Sequence, residues 1–127
     1  MFPIMVLLAV TLCTTTAGAQ VWTRVTSPDP NVYVEYRQDS IEVVSPSVRR
    51  ATVRFVSATG SNIHHLDIYS VETVAEYYCR QPLEKVVSSK IVAADGAVSF
   101  AEDVESPVFS ELDTGSNSCL LWEAICK

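Results

Sequence analysis

The sequence predicts an α+β fold in which an antiparallel sheet of about six strands carries one C-terminal helix. Short segments alternate apolar and polar residues with the period of two that is typical of half-buried strands. Asp95 and Gly96 separate two apolar runs, which is a strong hairpin signal because the favoured tight turn needs positive φ at both central residues. Residues 116–126 instead collect their apolar side chains on one helical face.

The predicted strands are short and separated by turn residues. They cover residues 21–25, 31–37, 41–44, 50–57, 63–69, 71–79, 85–93 and 97–100, and the pieces 63–69 and 71–79 form either two strands or one bent strand. Gly60 to Asn62 is predicted to turn the chain, and the acidic segment 102–115 to be irregular. In 71–79 every second residue lies on the mostly apolar face of the strand. Tyr77 and Cys79 belong to this set, so Cys79 is expected to face the core.

Residues 116–126 form the predicted helix. Ser116 or Ser118 can cap its N-terminus. Its apolar side chains fall within an arc of about 160°; they are Cys119, Leu121, Trp122, Ile125 and Cys126. This stripe must pack on another element, and the inward face of the sheet is the available surface.

Residues 1–19 are predicted to be a signal peptide, with cleavage between Ala19 and Gln20. The segment has no charged side chain, contains an apolar run and ends on Ala-Gly-Ala. That run is too short to span a membrane, which takes about 20 residues. Leu12 precedes Cys13 where a lipidated cysteine needs a small residue. The expected mature protein is therefore a single exported domain, 20–127.

The charge of the chain excludes one class of partner. Its formal net charge is -6, so nucleic acids and other polyanions would be repelled. Solubility is the simpler explanation of the charge itself.

Three cysteines remain after cleavage. Cys119 and Cys126 are about 10.5 Å apart along a helix, beyond the roughly 7 Å limit for a disulfide. Cys79 must then pair with one of them. The loop-closure entropy is about 4 kcal/mol for either pairing, so it does not distinguish between them. Tethering the end of the helix favours Cys126, while pairing with Cys119 stays open. Cys119 would be left as a free thiol, buried or paired with another subunit, and export favours oxidation over zinc binding.

No catalytic site is predicted. Glu72 and Glu76 share one strand face, where a solvated charged ladder with Arg80 is favoured over an acid–base pair. His64 and His65 are adjacent, so on a strand they point to opposite faces and cannot easily share a metal, even with Asp67 nearby. No glycine-rich phosphate loop is present in the mature chain. We therefore expect no metal and no cofactor, and a non-enzymatic protein.

Aromatic side chains provide one candidate binding surface. If exposed, they would form the kind of patch that protein interfaces use; they are Trp22, Tyr33, Tyr69 and Tyr78.

Several short motifs, in their order and spacing, resemble a known family. They are Val32-Tyr33-Val34-Glu35, Asp39-Ser40-Ile41, Val48-Arg49-Arg50-Ala51-Thr52-Val53, Glu76-Tyr77-Tyr78-Cys79-Arg80, Pro107-Val108-Phe109 and Ile125-Cys126. Together they resemble the surface-adhesin protein E family of Gram-negative bacteria over nearly the whole mature chain. The resemblance implies a curved antiparallel sheet whose C-terminal helix is tethered by a disulfide, and so supports the Cys79–Cys126 pairing.

The resemblance also implies a function. The best-known member is a dimeric outer-membrane lipoprotein adhesin that binds host extracellular-matrix and plasma proteins. The present chain departs from the family in lacking a lipidation motif, in having Phe109 where Trp is expected, and in carrying Cys119. We therefore expect an exported protein of the periplasm or cell surface that binds a host or envelope protein, as a homodimer. The alternative is a soluble periplasmic accessory or small-ligand-binding protein.

Overall fold

A computed structural model describes residues 21–25, 31–63, 66–93 and 95–127, with the backbone alone between 58 and 69. The described elements are β1 (Trp22–Val25), β2 (Val32–Arg37), a 3₁₀ turn (Gln38–Ser40), β3 (Glu42–Ser45), β4 (Val48–Ile63), β5 (Leu66–Tyr78), β6 (Leu83–Ala93), β7 (Val98–Asp103), β8 (Ser110–Glu111) and α1 (Asn117–Cys126). They form one antiparallel sheet with a single helix, which confirms the predicted fold class.

The main strands lie in the order β1-β2-β4-β5-β6-β7. Two short strands lengthen this sheet: β3 pairs with β4 beyond β2, and β8 pairs with β6 beyond β7. The described sheet therefore has eight strands rather than about six. The long strands β4, β5 and β6 form its centre.

Helix α1 packs against one face of the sheet, which we call the helix face. The buried cluster between them combines small, β-branched and aromatic side chains; it consists of Val34, Ala51, Val53, Ala75, Tyr77, Leu121 and Ile125. The strand members are those that the period-two pattern directs inward, and Leu121 and Ile125 belong to the predicted helical stripe. The core thus lies under the helix, at the β2-β4-β5 part of the sheet.

Both ends of α1 are fixed. The Ser116 hydroxyl accepts a hydrogen bond from the Cys119 amide at 3.2 Å, as an N-cap does. The Cys79–Cys126 disulfide links the last turn to the end of β5 with a Cα–Cα distance of 5.3 Å. This confirms the favoured pairing and excludes Cys79–Cys119. Cys119 is buried and unpaired among the described residues.

Two side chains reinforce the disulfide. Arg49 on β4 donates from Nη1 to the carbonyl oxygen of Ile125 at 2.7 Å, and so satisfies an open carbonyl of the last turn. The indole of Trp122 donates from Nε1 to the carbonyl oxygen of Tyr78 at 2.8 Å. These hydrogen bonds act together with the disulfide to hold the last turns of the helix on the sheet.

Several predicted boundaries were wrong. The turn at Gly60 to Asn62 is absent because β4 continues to Ile63, after an irregularity in its pairing with β5 that absorbs the glycine. Of the two alternatives for 63–69 and 71–79, the single strand is confirmed: β5 runs from Leu66 to Tyr78, and Ile63 ends β4. The segment 102–115, predicted to be irregular, includes the end of β7 and all of β8.

The predicted hairpin between β6 and β7 is present, with a different turn. Gly96 has φ of +87°, whereas Asp95 does not adopt positive φ. Instead, the Asp95 carboxylate accepts a hydrogen bond from the Ala97 amide at 2.9 Å. A hydrogen bond from the Ala93 amide to the Ala97 carbonyl oxygen closes the connection, which is therefore longer than a two-residue turn. The requirement for two left-handed residues applies to the two-residue turn and not to this one.

A buried tyrosine and a glutamate face each other beneath the helix side of the sheet. Tyr77 is fully buried, and its hydroxyl has no hydrogen-bond partner of good geometry among the described residues. Glu84 lies opposite it on β6. Burial raises the pKa of Tyr77, and the neighbouring Glu84 carboxylate adds to the effect. Burial also raises the pKa of Glu84. This effect is larger than that of the Tyr77 hydroxyl, which lowers the pKa.

Replacing Glu84 with Gln is expected to stabilise the protein at pH 7, by up to about 1 kcal/mol. Because its folded-state pKa is raised, the acid form of Glu84 favours folding below the ordinary value of 4.5, and this contribution is lost as the pH rises. Denaturant unfolding should therefore show an advantage for Glu84→Gln at pH 7 that narrows towards pH 4. Glu111→Gln, at an exposed position on β8, is the matched control, and an equal gain there would contradict the explanation.

Candidate functional site

The face opposite the helix carries rows of charged residues, and we call it the ladder face. Its first row crosses five strands in register, with one residue from each strand and alternating sign; it consists of Arg24, Glu35, Arg54, Glu72 and Lys90. A second row crosses β3 to β6 in the same way, and consists of Glu42, Arg50, Glu76 and Lys85. Opposite charges therefore lie beside each other across the strands, the arrangement that stabilises a sheet surface.

Two carboxylates form the tightest parts of these rows. Arg54 Nε lies 2.7 Å from Glu35 Oε1. Glu76 contacts both of its neighbours, with Arg50 Nη2 at 2.6 Å and Lys85 Nζ at 3.1 Å. Glu35 and Glu76 are only 7% and 5% exposed, so the charges they carry are compensated by ion pairs rather than by water.

The electrostatics of Glu76 follow from these contacts. Burial by itself would raise the pKa of this carboxyl, but the hydrogen bonds from Arg50 and Lys85 outweigh it and lower the pKa. The expected solvated ladder of Glu72, Glu76 and Arg80 was therefore wrong for Glu76. The partners of Glu76 lie across the sheet, whereas Arg80 lies in an exposed turn after β5.

A groove of about 370 Å³ lies between the two charged rows. Its floor is a lane of small side chains in register, Thr52, Val74 and Ser88. Arg37 on β2 lines one end and Asp103 on β7 the other. With strands about 4.8 Å apart, the four spacings from β2 to β7 make the groove about 19 Å long.

The groove is built for polar contact. Lys90 and Glu72 line it from the first row, with Nζ and Oε1 3.8 Å apart. It presents cations, carboxylates and the hydroxyls of its floor. Glu72 and Glu76 belong to separate ion pairs, so the described residues do not assemble an acid–base pair there. Such a groove suits an extended polar ligand with both charged and hydrogen-bonding groups.

The predicted aromatic patch is divided by the structure. The guanidinium of Arg54 lies 4.1 Å from the ring centroid of Trp22, and that of Arg24 lies 3.7 Å from the ring centroid of Tyr33. Tyr78 instead meets Phe109 edge to face, with centroids 6.2 Å apart. The side chain of Tyr69 lies outside the described part. Cation–π contacts thus use the aromatic faces near β1 that a partner would otherwise meet.

The predicted metal-ligand candidates fall outside the part of the chain whose side chains are described. His64 and His65 lie outside the described residues, as does the side chain of Asp67. Within the described ranges, no group of three or more potential metal-ligating side chains occurs. No helix in the described part is long and apolar enough to cross a membrane.

Sequence reasoning missed the residues that define the ladder face. Glu35, Arg50 and Arg54 stand at outward positions of their strands, but the pattern of a single strand does not show which charge of the next strand lies opposite. One signal was available in the sequence: the outward positions of successive strands carry charges of alternating sign. The groove likewise depends on the register of four strand pairs.

Comparisons with known proteins show what this architecture is similar to. A scan against known families finds no matching family, and a search of curated proteins finds no matching sequence. Among solved structures, crystal form II of Haemophilus influenzae protein E is similar, with a TM-score of 0.63 and 16% sequence identity. The similarity covers 93% of this chain and 96% of that chain. The chain has a protein E-like fold.

The protein E-like fold accounts for the placement of the candidate site. Its helix covers one face of the sheet and leaves the ladder face and the outer edge of β7 for other contacts. A shared fold does not establish a shared function. These exposed surfaces are where a binding function would act.

Proposed function

We propose that this chain is an exported, non-enzymatic protein of the bacterial envelope that acts by binding a protein partner, as an adhesin does. The protein E-like fold over nearly the full length of both chains is the observation that carries the proposal. The motif resemblance to the surface-adhesin protein E family points to the same role, including a host matrix or plasma protein as partner and a homodimeric state.

Features of the chain itself support the proposal. The disulfide between Cys79 and Cys126 suits an oxidising compartment, where such bonds form and persist. The uncharged N-terminal segment, with its predicted cleavage between Ala19 and Gln20, supports export. Interstrand ion pairs on the ladder face would keep its charged side chains ordered for contact with another protein.

A periplasmic accessory or small-ligand-binding role is the second candidate. The groove between the charged rows favours it, because a cavity of about 370 Å³ is within the range of small-molecule sites. In that case Arg37, Lys90 and the hydroxyls of Thr52 and Ser88 would contact the ligand.

Cell fractionation distinguishes the two roles. We expect protease added to intact bacteria to remove the protein, and the purified protein to retain extracellular-matrix proteins in a pull-down. A periplasmic marker that stays intact in the same cells is the control. If protease leaves the protein untouched and osmotic shock releases it, the adhesin role is excluded and the periplasmic role is favoured.

A further inference from the structure

The outer edge of β7 is an accessible strand edge of the described sheet. All six of its residues are exposed, and it ends the main strand order. Three other strands at the border of the described sheet are shorter, with four residues in β1 and in β3 and two in β8. Short edge strands resist pairing with another chain, whereas a longer free edge permits it.

The backbone of β7 is oriented for such pairing. The Val104 amide donates to the carbonyl oxygen of Val87 on β6 at 2.9 Å, and the register between the strands is regular from Phe100 to Asp103. Because antiparallel strands alternate their hydrogen-bonding direction, the amides of Ala101 and Asp103 point away from β6. Their carbonyl groups point the same way, so this edge can bond to an added strand.

An apolar row reaches this edge on the helix face. It crosses all six main strands in register, and consists of Val25, Val34, Phe55, Val71, Ile91 and Phe100. Val34 is fully buried near the helix, whereas Phe100 is 52% exposed and Val98 53%. The row is therefore closed at the helix end and open at β7, where another apolar side chain could extend it.

The charge at the C-terminal end of β7 indicates the chemistry of an added strand. Glu102 and Asp103 are exposed neighbours on opposite faces of the sheet, and Asp103 also lines the end of the groove. An incoming strand would place basic side chains opposite both carboxylates. The same edge of a second copy would bring no cation to these carboxylates, because β7 contains no basic residue.

We propose that the edge of β7 binds an extended segment of a partner protein as an additional antiparallel strand. The segment has two basic residues opposite Glu102 and Asp103, followed by alternating residues that place an apolar side chain opposite Phe100. Main-chain hydrogen bonds to Ala101 and Asp103 provide affinity, and the side chains on the two faces provide specificity. This deepens the protein-binding role proposed above, because it names the surface and the type of partner segment.

The experiment uses the purified, oxidised protein and a labelled hexapeptide, Lys-Lys-Thr-Val-Thr-Val with blocked ends. Titration followed by NMR is expected to shift the amide signals of Ala101 and Asp103 and to slow their exchange with solvent. A peptide with Glu in place of both Lys residues should bind at least tenfold more weakly. A peptide with Pro in place of the first Thr, whose amide would bond to Ala101, should also bind at least tenfold more weakly.

Two sets of variants test the edge directly. Ala101→Pro removes an outward-pointing amide but no bond to β6, and proline is tolerated on edge strands. Ala101→Val keeps the amide and is its matched control, so we expect tenfold weaker binding for the first variant relative to the second. Glu102→Lys combined with Asp103→Lys should reverse the preference in favour of the Glu peptide, which keeps the test decisive even if proline disturbs folding.

Three outcomes would overturn the proposal. They are equal binding by the Pro and Val variants, equal affinity for the Lys and Glu peptides, and a dimer in sedimentation that dissociates on Ala101→Pro, which would make a second copy the occupant. Failure of adhesion on cells would count against the proposed function but would not change these peptide results. If an edge variant lost peptide binding but still supported adhesion, the adhesive surface would instead lie elsewhere on the protein.

Discussion

Reduction of the Cys79–Cys126 disulfide is expected to lower the free energy of unfolding by about 4 kcal/mol. The two cysteines are 47 residues apart in sequence, and closing a loop of that length removes this much conformational entropy from the unfolded chain. Small domains are stable by only about 5–15 kcal/mol in total. Chemical denaturation with and without reductant measures the loss directly.

The reduced protein should nevertheless keep its sheet. Arg49 and Trp122 still bond the helix to β4 and β5, so the first consequence of reduction is fraying of the last helical turn. Hydrogen exchange should show early loss of protection around Ile125, while the strand core around Val53 stays protected until global unfolding.

Variants separate this bond from other thiol chemistry. The double variant Cys79→Ala and Cys126→Ala should be less stable and insensitive to reductant. Cys119→Ala should keep the full response to reductant, since Cys119 takes no part in the bond. A reductant effect that persisted in the double variant, or a loss below about 1 kcal/mol, would contradict the proposed contribution.

The sequence predicts those features that depend on residues close together in the chain. The period of two placed Tyr77 on the inward face of its strand, and Tyr77 lies in the buried cluster. Ser116 was identified as an N-cap, and the helical stripe correctly placed Leu121 and Ile125 in the core.

The extent of pairing and the charged rows required the structure. A glycine near the end of β4 suggested a turn, but the sheet absorbed Gly60 in an irregular pairing and continued to Ile63. Glu76 was predicted to interact with Arg80 in its own segment, whereas its partners come from β4 and β6. Which outward residues meet depends on the register of several strands, and register is a property of the assembled sheet.

Removing the Glu76 carboxylate is expected to cost about 3 kcal/mol. Glu76→Gln would leave Arg50 and Lys85 without their anionic partner at a site where Glu76 is only 5% exposed. Breaking one side of a buried ion pair typically costs about 3–5 kcal/mol, and the lower end applies because Arg50 retains contact with water. Glu123→Gln, at an exposed position on the helix, should change stability by less than about 0.5 kcal/mol.

The pH dependence separates the Glu76 charge from packing. The pKa of Glu76 is lowered in the folded state, so its ionised form stabilises the protein above the ordinary value of 4.5, and this contribution is lost as the pH falls through the folded-state pKa. The difference in unfolding free energy between the wild type and Glu76→Gln should therefore be constant near pH 7 and narrow below pH 4.5.

A variant that replaces the whole ion-pair cluster tests why the loss occurs. Arg50→Met, Glu76→Leu and Lys85→Met together remove all three charges and keep their volume. If the cost of Glu76→Gln comes from cations left unpaired, this triple variant should recover most of the lost stability. If it is instead as unstable as the single variant, the ion pairs themselves contribute the net stability. In either case the effect of changing Glu76 is set by its contacts with β4 and β6, the strands on both sides of its own.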